Sequence, residues 1–340
     1  MTEAQSGETF VHVVIVNYNT EALVIDCLKS IDRERQSYPG LCVTVVDNAS
    51  SDGSVAALQA AVADNDWQSW AKICPQSTNA GFAAGNNVVL EDFKNLPATH
   101  FWLLNPDTYL RPGALAGLFD IMASNPRAGI VGSRLEWPDG TQQHSTFVFP
   151  SVASEFLTAL PLGLFAKFFE RWIVAQPPTL VTQRYDWLSG ASLLIRREVL
   201  EDVGLLDPKY FLYFEETDFC KRAAAHGWQC WFAPASRVVH LVGQSTGVTN
   251  PKQLVARRPR YWFESRRRYF ATHHGAAYAT AADVAISLNA IANRLVAAIR
   301  GSSPGIPSHF IRDVMAQGGC FRTVFKSKRD DTSRQQSVQS

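Results

Sequence analysis

The sequence lacks any strong excess of one charge. Over 340 residues, 32 Lys and Arg stand against 31 Asp and Glu, a formal net charge of +1. A general polyanion binder carries a markedly basic domain, so that class is set aside, and the positive charge that does cluster, from Lys252 to Arg268, needs its own explanation. No C-x-x-C pair occurs among Cys27, Cys42, Cys74, Cys220, Cys230 and Cys320. That predicts reduced, structural thiols in a cytosolic compartment. No uncharged apolar run reaches the about eighteen residues of a membrane span. The most apolar stretch, Phe156 to Phe169, is broken by Pro161 and Gly163 and carries Lys167, so no spanning helix is expected. Met1 to Thr9 has neither a basic n-region nor an apolar h-region, and no signal peptide is expected there. Neither G-x-G-x-x-G after the first apolar run nor G-x-x-x-x-G-K-[ST] is present, which removes the usual dinucleotide site and the P-loop. No internal repeat is visible.

What is present is an apolar fraction of 46%, too high for global disorder. The length suits about two domains at roughly 100–200 residues each. From residue 10 to about 135, short β-rich runs alternate with helical periodicity, the pattern of βαβ units on a mainly parallel sheet. Val11–Val16, Leu41–Val46, Phe101–Leu104 and Ile130–Val131 are continuous apolar runs, as in strands covered on both faces. After Thr20, a possible N-cap, Leu23, Cys27, Leu28 and Ile31 recur at helical spacing; after Pro112, Leu115, Leu118, Phe119 and Met122 do the same. Residues 136–185 read as an inserted, partly mobile region. A second block, 185–240, predicts a strand at Ser192–Arg196, a helix ending near Gly204, a helix over Glu216–His226 and a strand at Cys230–Ala233. Helical pattern resumes from Pro251 to Arg300, and the tail beyond Lys326 is polar and repetitive.

In a parallel sheet, ligands bind beyond the carboxyl ends of the strands, so the residues that follow each strand are the first candidates. They are Asn17-Tyr18-Asn19-Thr20, Asp47-Asn48-Ala49-Ser50-Ser51-Asp52-Gly53-Ser54 and Asn105-Pro106-Asp107, with Asn79-Ala80-Gly81-Phe82-Ala83-Ala84-Gly85-Asn86-Asn87 between the last two. A carboxylate placed as Asp47 is can accept the N3–H of a pyrimidine. Asp52 and Ser54 equally suit the capping of the next helix. Asp107, with only Asn105 beside it, suits a hard cation that draws its other ligands from water and phosphate; Asn-Pro-Asp before Thr also makes a good turn.

These motifs in this order, with Trp187-Leu188-Ser189-Gly190-Ala191 and Tyr213-Phe214-Glu215-Glu216-Thr217-Asp218-Phe219, resemble the inverting family 2 glycosyltransferases, and most of all their bacterial rhamnosyltransferase branch. The likeness spans roughly residues 10–270. It implies an α/β GT-A fold, a mainly parallel Rossmann-like sheet flanked by helices with a C-terminal helical extension. It also implies transfer from a nucleoside diphosphate sugar with Mg²⁺ or Mn²⁺. On that resemblance Asn17, Asn19, Asp47, Asn48, Asp52, Asn79, Gly81, Phe82, Asn86 and Asn105 line the nucleotide-sugar site. Asp107 holds the last position of the metal-binding D-x-D motif, whose first Asp is here Asn105, and His240 lies near the metal or the diphosphate. Glu216 falls at the position of the catalytic base, where the family has Asp, with Asp218 and Glu215 as the other acids. Acids also suit a helix's first turn through its dipole. Trp187, Ser189 and Gly190 match the acceptor-side motif, although core packing accounts for Trp187 as well.

Chemistry asks for the same parts. Breaking a sugar–phosphate bond develops negative charge on the leaving diphosphate, and inversion in one displacement needs one base to deprotonate the acceptor hydroxyl. The expected donor is dTDP-L-rhamnose and the expected acceptor a polyprenyl-diphosphate-linked or growing cell-surface glycan. The alternatives are a hexosyl- or galactofuranosyltransferase using a UDP-sugar, and a catalytically silent nucleotide-sugar-binding protein. Arg257, Arg258, Arg260, Arg266, Arg267 and Arg268 alternate with Tyr261, Trp262, Phe263, Tyr269 and Phe270. This segment suits anionic headgroups or a lipid diphosphate at a membrane surface, or else a solvated helix face. Nucleic acid is not an expected partner. The expected organisation is a nucleotide-sugar half at 10–135, an acceptor and catalytic half at 136–250, a basic-aromatic extension at 251–325, and disordered ends at 1–9 and 326–340, at the cytoplasmic face of the membrane.

Overall fold

The computed structural model describes residues 10–157, 169–242, 257–303 and 305–317. The expectations for 1–9 and 326–340, most of the apolar stretch 156–169, Cys320 and the start of the basic segment at Lys252 lie outside the described residues. The strands are Val11–Asn17 (β1), Leu41–Asp47 (β2), Ala71–Pro75 (β3), His100–Leu104 (β4), Thr108–Leu110 (β5), Ala128–Glu136 (β6), Thr146–Phe147 (β7), Gln183–Tyr185 (β8), Trp187–Leu188 (β9), Ser192–Arg196 (β10) and Gln229–His240 (β11). The helices are Glu21–Arg35 (α1), Ser54–Asp64 (α2), Phe82–Leu90 (α3), Ala114–Ser124 (α4), Val152–Leu157 (α5), Arg197–Val203 (α6), Glu215–Ala225 (α7), Arg260–His274 (α8), Ala276–Arg300 (α9) and Phe310–Gln317 (α10).

The chain divides into two compact units. The first takes the chain up to Phe149, Ala175–Phe211 and the stretch from Glu215 through β11; the second takes Pro150–Val174, Leu212–Phe214 and the C-terminal helices. In the first, nine of the described strands form one sheet in the order β3-β2-β1-β4-β10-β6-β11-β5, with β8 also on β11, and β7 and β9 form a second. The β1–β2, β2–β3, β1–β4 and β6–β11 pairs are parallel. β10 runs antiparallel between β4 and β6, and β5 and β8 run antiparallel to β11. β1 is buried along its whole length because helices cover both faces. On one side Val13, Ile15 and Val43 pack with Leu28 and Ile31 of α1, Leu58 of α2 and Leu115 of α4. On the other, Val14 and Val46 pack with Leu90 of α3, Val199 of α6 and Phe219 of α7.

Some local expectations are corrected. Thr20 stands at the N-cap of α1 without capping it, because its hydroxyl donates to Asn17 Oδ1 at 2.8 Å. β6 and β11 are much longer than the apolar runs 130–131 and 230–233. Their polar residues are buried with partners: Ser133 Oγ lies 2.7 Å from Ser192 Oγ and 2.8 Å from Ser236 Oγ. Buried Glu136 receives Arg111 and Arg237. Within 136–185, β7 pairs with β9, and Phe147 stacks on Trp187 at 4.1 Å between ring centroids. Cys27, Cys42, Cys74, Cys220 and Cys230 are free thiols.

In the second unit, α8, α9 and α10 enclose Phe263, Ile286, Ala290, Phe310 and Val314. The basic-aromatic segment is not one surface. Arg266 is buried and bonds Glu155 at 3.0 Å and Asp283 at 2.6 Å; Arg267 also pairs with Asp283. Arg257 grips Asp313 with two bonds of 2.7 and 2.6 Å, and Tyr269 and Phe270 are buried. α9 is long and apolar enough to cross a membrane by length and composition, contrary to expectation, although a third of its most apolar window is buried. Asp283 and Arg294 interrupt the run, so a search for uncharged stretches passes over it.

Candidate active site

The site forms at the carboxyl ends of β1, β2 and β4 and at the start of α7. Asn17 and Asp47 close β1 and β2 side by side in register. Asn17 Nδ2 donates to Asp47 Oδ2 at 2.7 Å. Ser50 donates its hydroxyl to the same oxygen at 2.7 Å and its backbone N–H to Oδ1 at 2.9 Å. Asn19, in a left-handed turn at φ 55°, donates its N–H to Ser50 Oγ and accepts the Ser51 N–H. Asp47 is 1% exposed, and three of the about four acceptor positions of its carboxylate are taken. Asp52 serves the start of α2: its Oδ1 accepts the Ser54 N–H at 3.0 Å, and the hydrogen bonds from Ser54 hold its carboxyl below the usual range.

Next to this turn lies the loop that opens α3. Asn48 Nδ2 donates to Gly81 O at 3.0 Å, and Asn79 Oδ1 accepts the Gly81 N–H at 3.0 Å. Gly81 has φ 92°, and a Cβ there would collide with the carbonyl of Phe211, whose oxygen accepts the Phe82 N–H at 2.8 Å. Only glycine fits so close a backbone approach. Asn86 Nδ2 donates to Phe82 O at 2.9 Å, while its buried Oδ1 has no partner among the described residues.

Beyond β4, Asp107 and His240 meet. His240 Nε2 is 3.3 Å from Asp107 Oδ1 and 3.3 Å from Asn105 Nδ2, and Gln143 Nε2 donates to the His240 carbonyl at 2.7 Å. The pairing of β11 with β5 sets His240 opposite Thr108 and so beside Asp107. Among the described residues no group of three His, Cys, Asp or Glu forms a metal cluster. The donor set is one carboxylate, one imidazole and one amide. It fits a hard divalent ion that takes its remaining ligands from phosphate and water.

Asn105 N–H donates to Ala191 O at 3.0 Å, which ties this group to the 187–191 motif. Gly190 lies against the Glu216 side chain at 3.6 Å from an ideal Cβ. Burial pushes the Glu216 carboxyl up to about 7, while the backbone N–H groups of Glu216, Thr217 and Gly190 pull the other way. Glu215 is raised well above the usual range by burial and by the charge of Glu216. One oxygen of each, Oε2, is buried with no hydrogen-bond partner among the described residues. Asp218 differs in kind: its Oδ2 accepts Arg222 Nε at 2.8 Å and its Oδ1 accepts the Tyr210 hydroxyl at 3.4 Å. Arg222 also binds the carbonyls of Val203 and Leu205, so Asp218 anchors α7 to the turn after α6. Trp187 spends one ring face on Phe147 and its N–H on Val148 O, and Ser189 Oγ accepts the Ala191 N–H at 3.4 Å. Sequence reasoning assigned no role to Ser50, Gln143 or Arg222. Ser50 lay inside a quoted motif, whereas Gln143 and Arg222 act through contacts that only folding brings about.

The fold is similar to that of a mannosyltransferase from Pyrobaculum calidifontis solved with GDP-Man and Mn²⁺, at a TM-score of 0.54 and 18% identity, covering 96% of this chain and 84% of that one. It is also similar to GalNAc-T7 solved with UDP, GalNAc and Mn²⁺, at a TM-score of 0.55 and 16% identity, covering 78% of this chain and 51% of that one. In sequence, an N-acetylglucosaminyl-diphospho-decaprenol L-rhamnosyltransferase of Mycobacterium tuberculosis is 30% identical over 227 residues, 63% of this chain and 71% of that protein. A rhamnosyltransferase of Escherichia coli strain K12 is 22% identical over 196 residues, 56% of this chain and 70% of that one. A family model described as glycosyltransferase like family 2 runs through residues 8–275, from β1 past the end of α8, and the chain belongs to that family.

Proposed function

We propose that this glycosyltransferase moves L-rhamnose from dTDP-L-rhamnose, with inversion, onto a polyprenyl-diphosphate-linked or growing cell-surface glycan at the cytoplasmic face of the membrane. The observation that carries the reading is Glu216, a carboxylate at the start of α7 with a pKa pushed to about 7 and an unspent, buried oxygen. A general base works best when its pKa lies near the operating pH. Glu216 takes the proton of the acceptor hydroxyl as that oxygen attacks the anomeric carbon and the bond to the diphosphate breaks. Burial and the charge of Glu216 raise the Glu215 carboxyl, which disfavours two charges on the pair. Residues 10–135 hold the donor and 136–250 supply the acceptor side and the base.

Asp107 and His240, with Asn105, would hold Mg²⁺ or Mn²⁺, which supplies positive charge to the leaving diphosphate. Asn17, Asn19 and Ser50 order the turn around Asp47, and the pyrimidine N3–H takes the acceptor position still open on that carboxylate. The buried Oδ1 of Asn86 is an acceptor for a donor hydroxyl, since a buried polar atom without a partner asks for one. The rhamnose and lipid-diphosphate assignments are supported by the likeness to the mycobacterial rhamnosyltransferase.

The test is a thermal-shift and nucleotide-release panel of dTDP-, UDP- and GDP-sugars with and without Mn²⁺, because a ligand of the folded state raises its stability. dTDP-rhamnose is expected to give a Mn²⁺-dependent shift that Asp107→Ala abolishes, with release of dTDP when acceptor is supplied. A larger shift with a UDP-hexose would reassign the donor. Stabilisation without release, even with lipid-linked acceptors, would make the chain a silent binding protein.

A further inference from the structure

We infer that α9 docks the second unit onto an anionic lipid surface through a stripe of exposed apolar side chains, lying in the plane of the membrane. Ala277, Ala281, Val284, Leu288, Ile291, Leu295 and Ala298 recur at alternating intervals of four and three, so they line one side of the helix. All of them are exposed. Leu288 is 49%, Ile291 44% and Leu295 61% open to solvent, and Ile299, at the edge of the stripe, is 86% open. Single exposed apolar residues need no explanation, but a continuous row from Ala277 to Ala298 marks an interaction surface.

The opposite side of α9 already has its partners. Ala282, Ile286, Asn289 and Ala290 are buried; Asn289 Nδ2 donates to Phe156 O, and Asp283 is held by Arg266 and Arg267. A spanning orientation would strip that packing and carry Asp283 and Arg294 into hydrocarbon, where charged side chains are costly. An in-plane orientation sinks only the stripe and leaves the packed side intact.

Charge decides between a membrane and a second copy of the helix. The spacing alone suits a coiled-coil seam, but such a seam selects its partner through opposite charges at its flanks. On α9 the acid is Asp283, which is consumed by two arginines, and the other charged residues are Arg294 and Arg300. Two parallel copies would set arginine against arginine, and an antiparallel pair would offer Arg294 no free acid, since Asp283 is already paired. The second unit as a whole carries ten arginines against five acids among its described residues. Arg294, three residues after Ile291 and four before Ala298, is exposed at the flank of the stripe, where its charge is complementary to anionic headgroups.

This inference rests on the proposed transfer to a membrane-borne acceptor, and its test is separate from the test of that reading. The full chain is sedimented with phosphatidylcholine vesicles with and without one-third phosphatidylglycerol, alongside the L288E/L295E variant, whose two sites are exposed. Wild type should bind the anionic vesicles, more weakly at high salt, and the variant should lose at least tenfold in partitioning. Both should keep the same thermal unfolding, the same donor-induced shift and the same nucleotide release with a soluble acceptor analogue. Equal vesicle binding by the two proteins would overturn the docking face. So would a wild-type dimer that L288E/L295E converts to monomer with vesicle binding unchanged, since the stripe would then be a self-association seam. Absence of a donor-induced shift in both proteins, with vesicle binding intact, would remove the sugar-transfer reading and leave the surface standing.

Discussion

At the scale of single residues, Glu216 links stability and activity with opposite signs. Its folded pKa of about 7 lies above the ordinary carboxylate value, so the folded state binds a proton more tightly than the unfolded chain does. The ionised form needed for catalysis therefore costs stability as pH rises through 7. Glu216→Gln is expected to raise Tm at pH 8 by roughly 2–5 °C and to leave it unchanged near pH 5. Glu216→Ala should lower kcat by about a hundredfold or more with donor binding nearly intact. In the wild type, kcat/KM should climb with pH around a midpoint near 7, because the base must lose its proton first; a flat profile would remove Glu216 from that role. Gly81 is the second residue with a sharp expectation. A methyl group there meets the Phe211 carbonyl in a backbone conformation that side chains rarely adopt, so Gly81→Ala should cost about 3 kcal/mol in urea unfolding.

At the scale of elements, α4 is fastened by a side chain from another helix rather than by its own cap. The buried carboxylate of Glu34, near the end of α1, accepts the N–H groups of Gly113 at 3.1 Å and Leu115 at 2.8 Å, and so caps α4 from outside. Glu34→Ala should cost about 1–2 kcal/mol, read as a lower urea midpoint at constant m. The periodicity of 23–31 and 115–122 marked both helices but was silent on this bond, because Glu34 and Leu115 are far apart in sequence. Strand length was hidden for a related reason. A search for apolar runs ends at Val131 and at Ala233, yet β6 and β11 continue through Ser133, Glu136 and Ser236, whose polar atoms are paired across the sheet. In β11 the register shifts between Ala233 and Arg237, the stretch that holds Pro234, which lacks a backbone donor.

At the scale of the whole molecule, buried titratable groups shape the pH dependence of stability. Burial lowers His12 and His100 to about 4, so the unfolded chain binds their protons first and stability falls as pH drops from about 6.5 to 4. The raised carboxyl of Glu216 acts the other way, adding stability as pH falls through about 7 toward 4.5, and that of Glu215 adds in the same direction. Thermal unfolding should therefore show a Tm that rises from pH 8 to about 6.5 and is lower at pH 4 than at its maximum. A Tm highest at pH 8 would contradict these burials. Apolar periodicity and turn chemistry are local properties, so the βαβ rhythm, the strands β1, β2, β4 and β10 and the motifs at their ends were legible along the chain. Only the tertiary structure decided that β10 enters antiparallel between β4 and β6, so that Ala191 meets Asn105 and Gly190 lies on Glu216. It also decided that Asp218 is spent on Arg222 and that Arg266 of the arginine-rich segment is buried in ion pairs with Glu155 and Asp283. Those outcomes depend on which distant donor reaches which acceptor once water is excluded, and no local pattern encodes that.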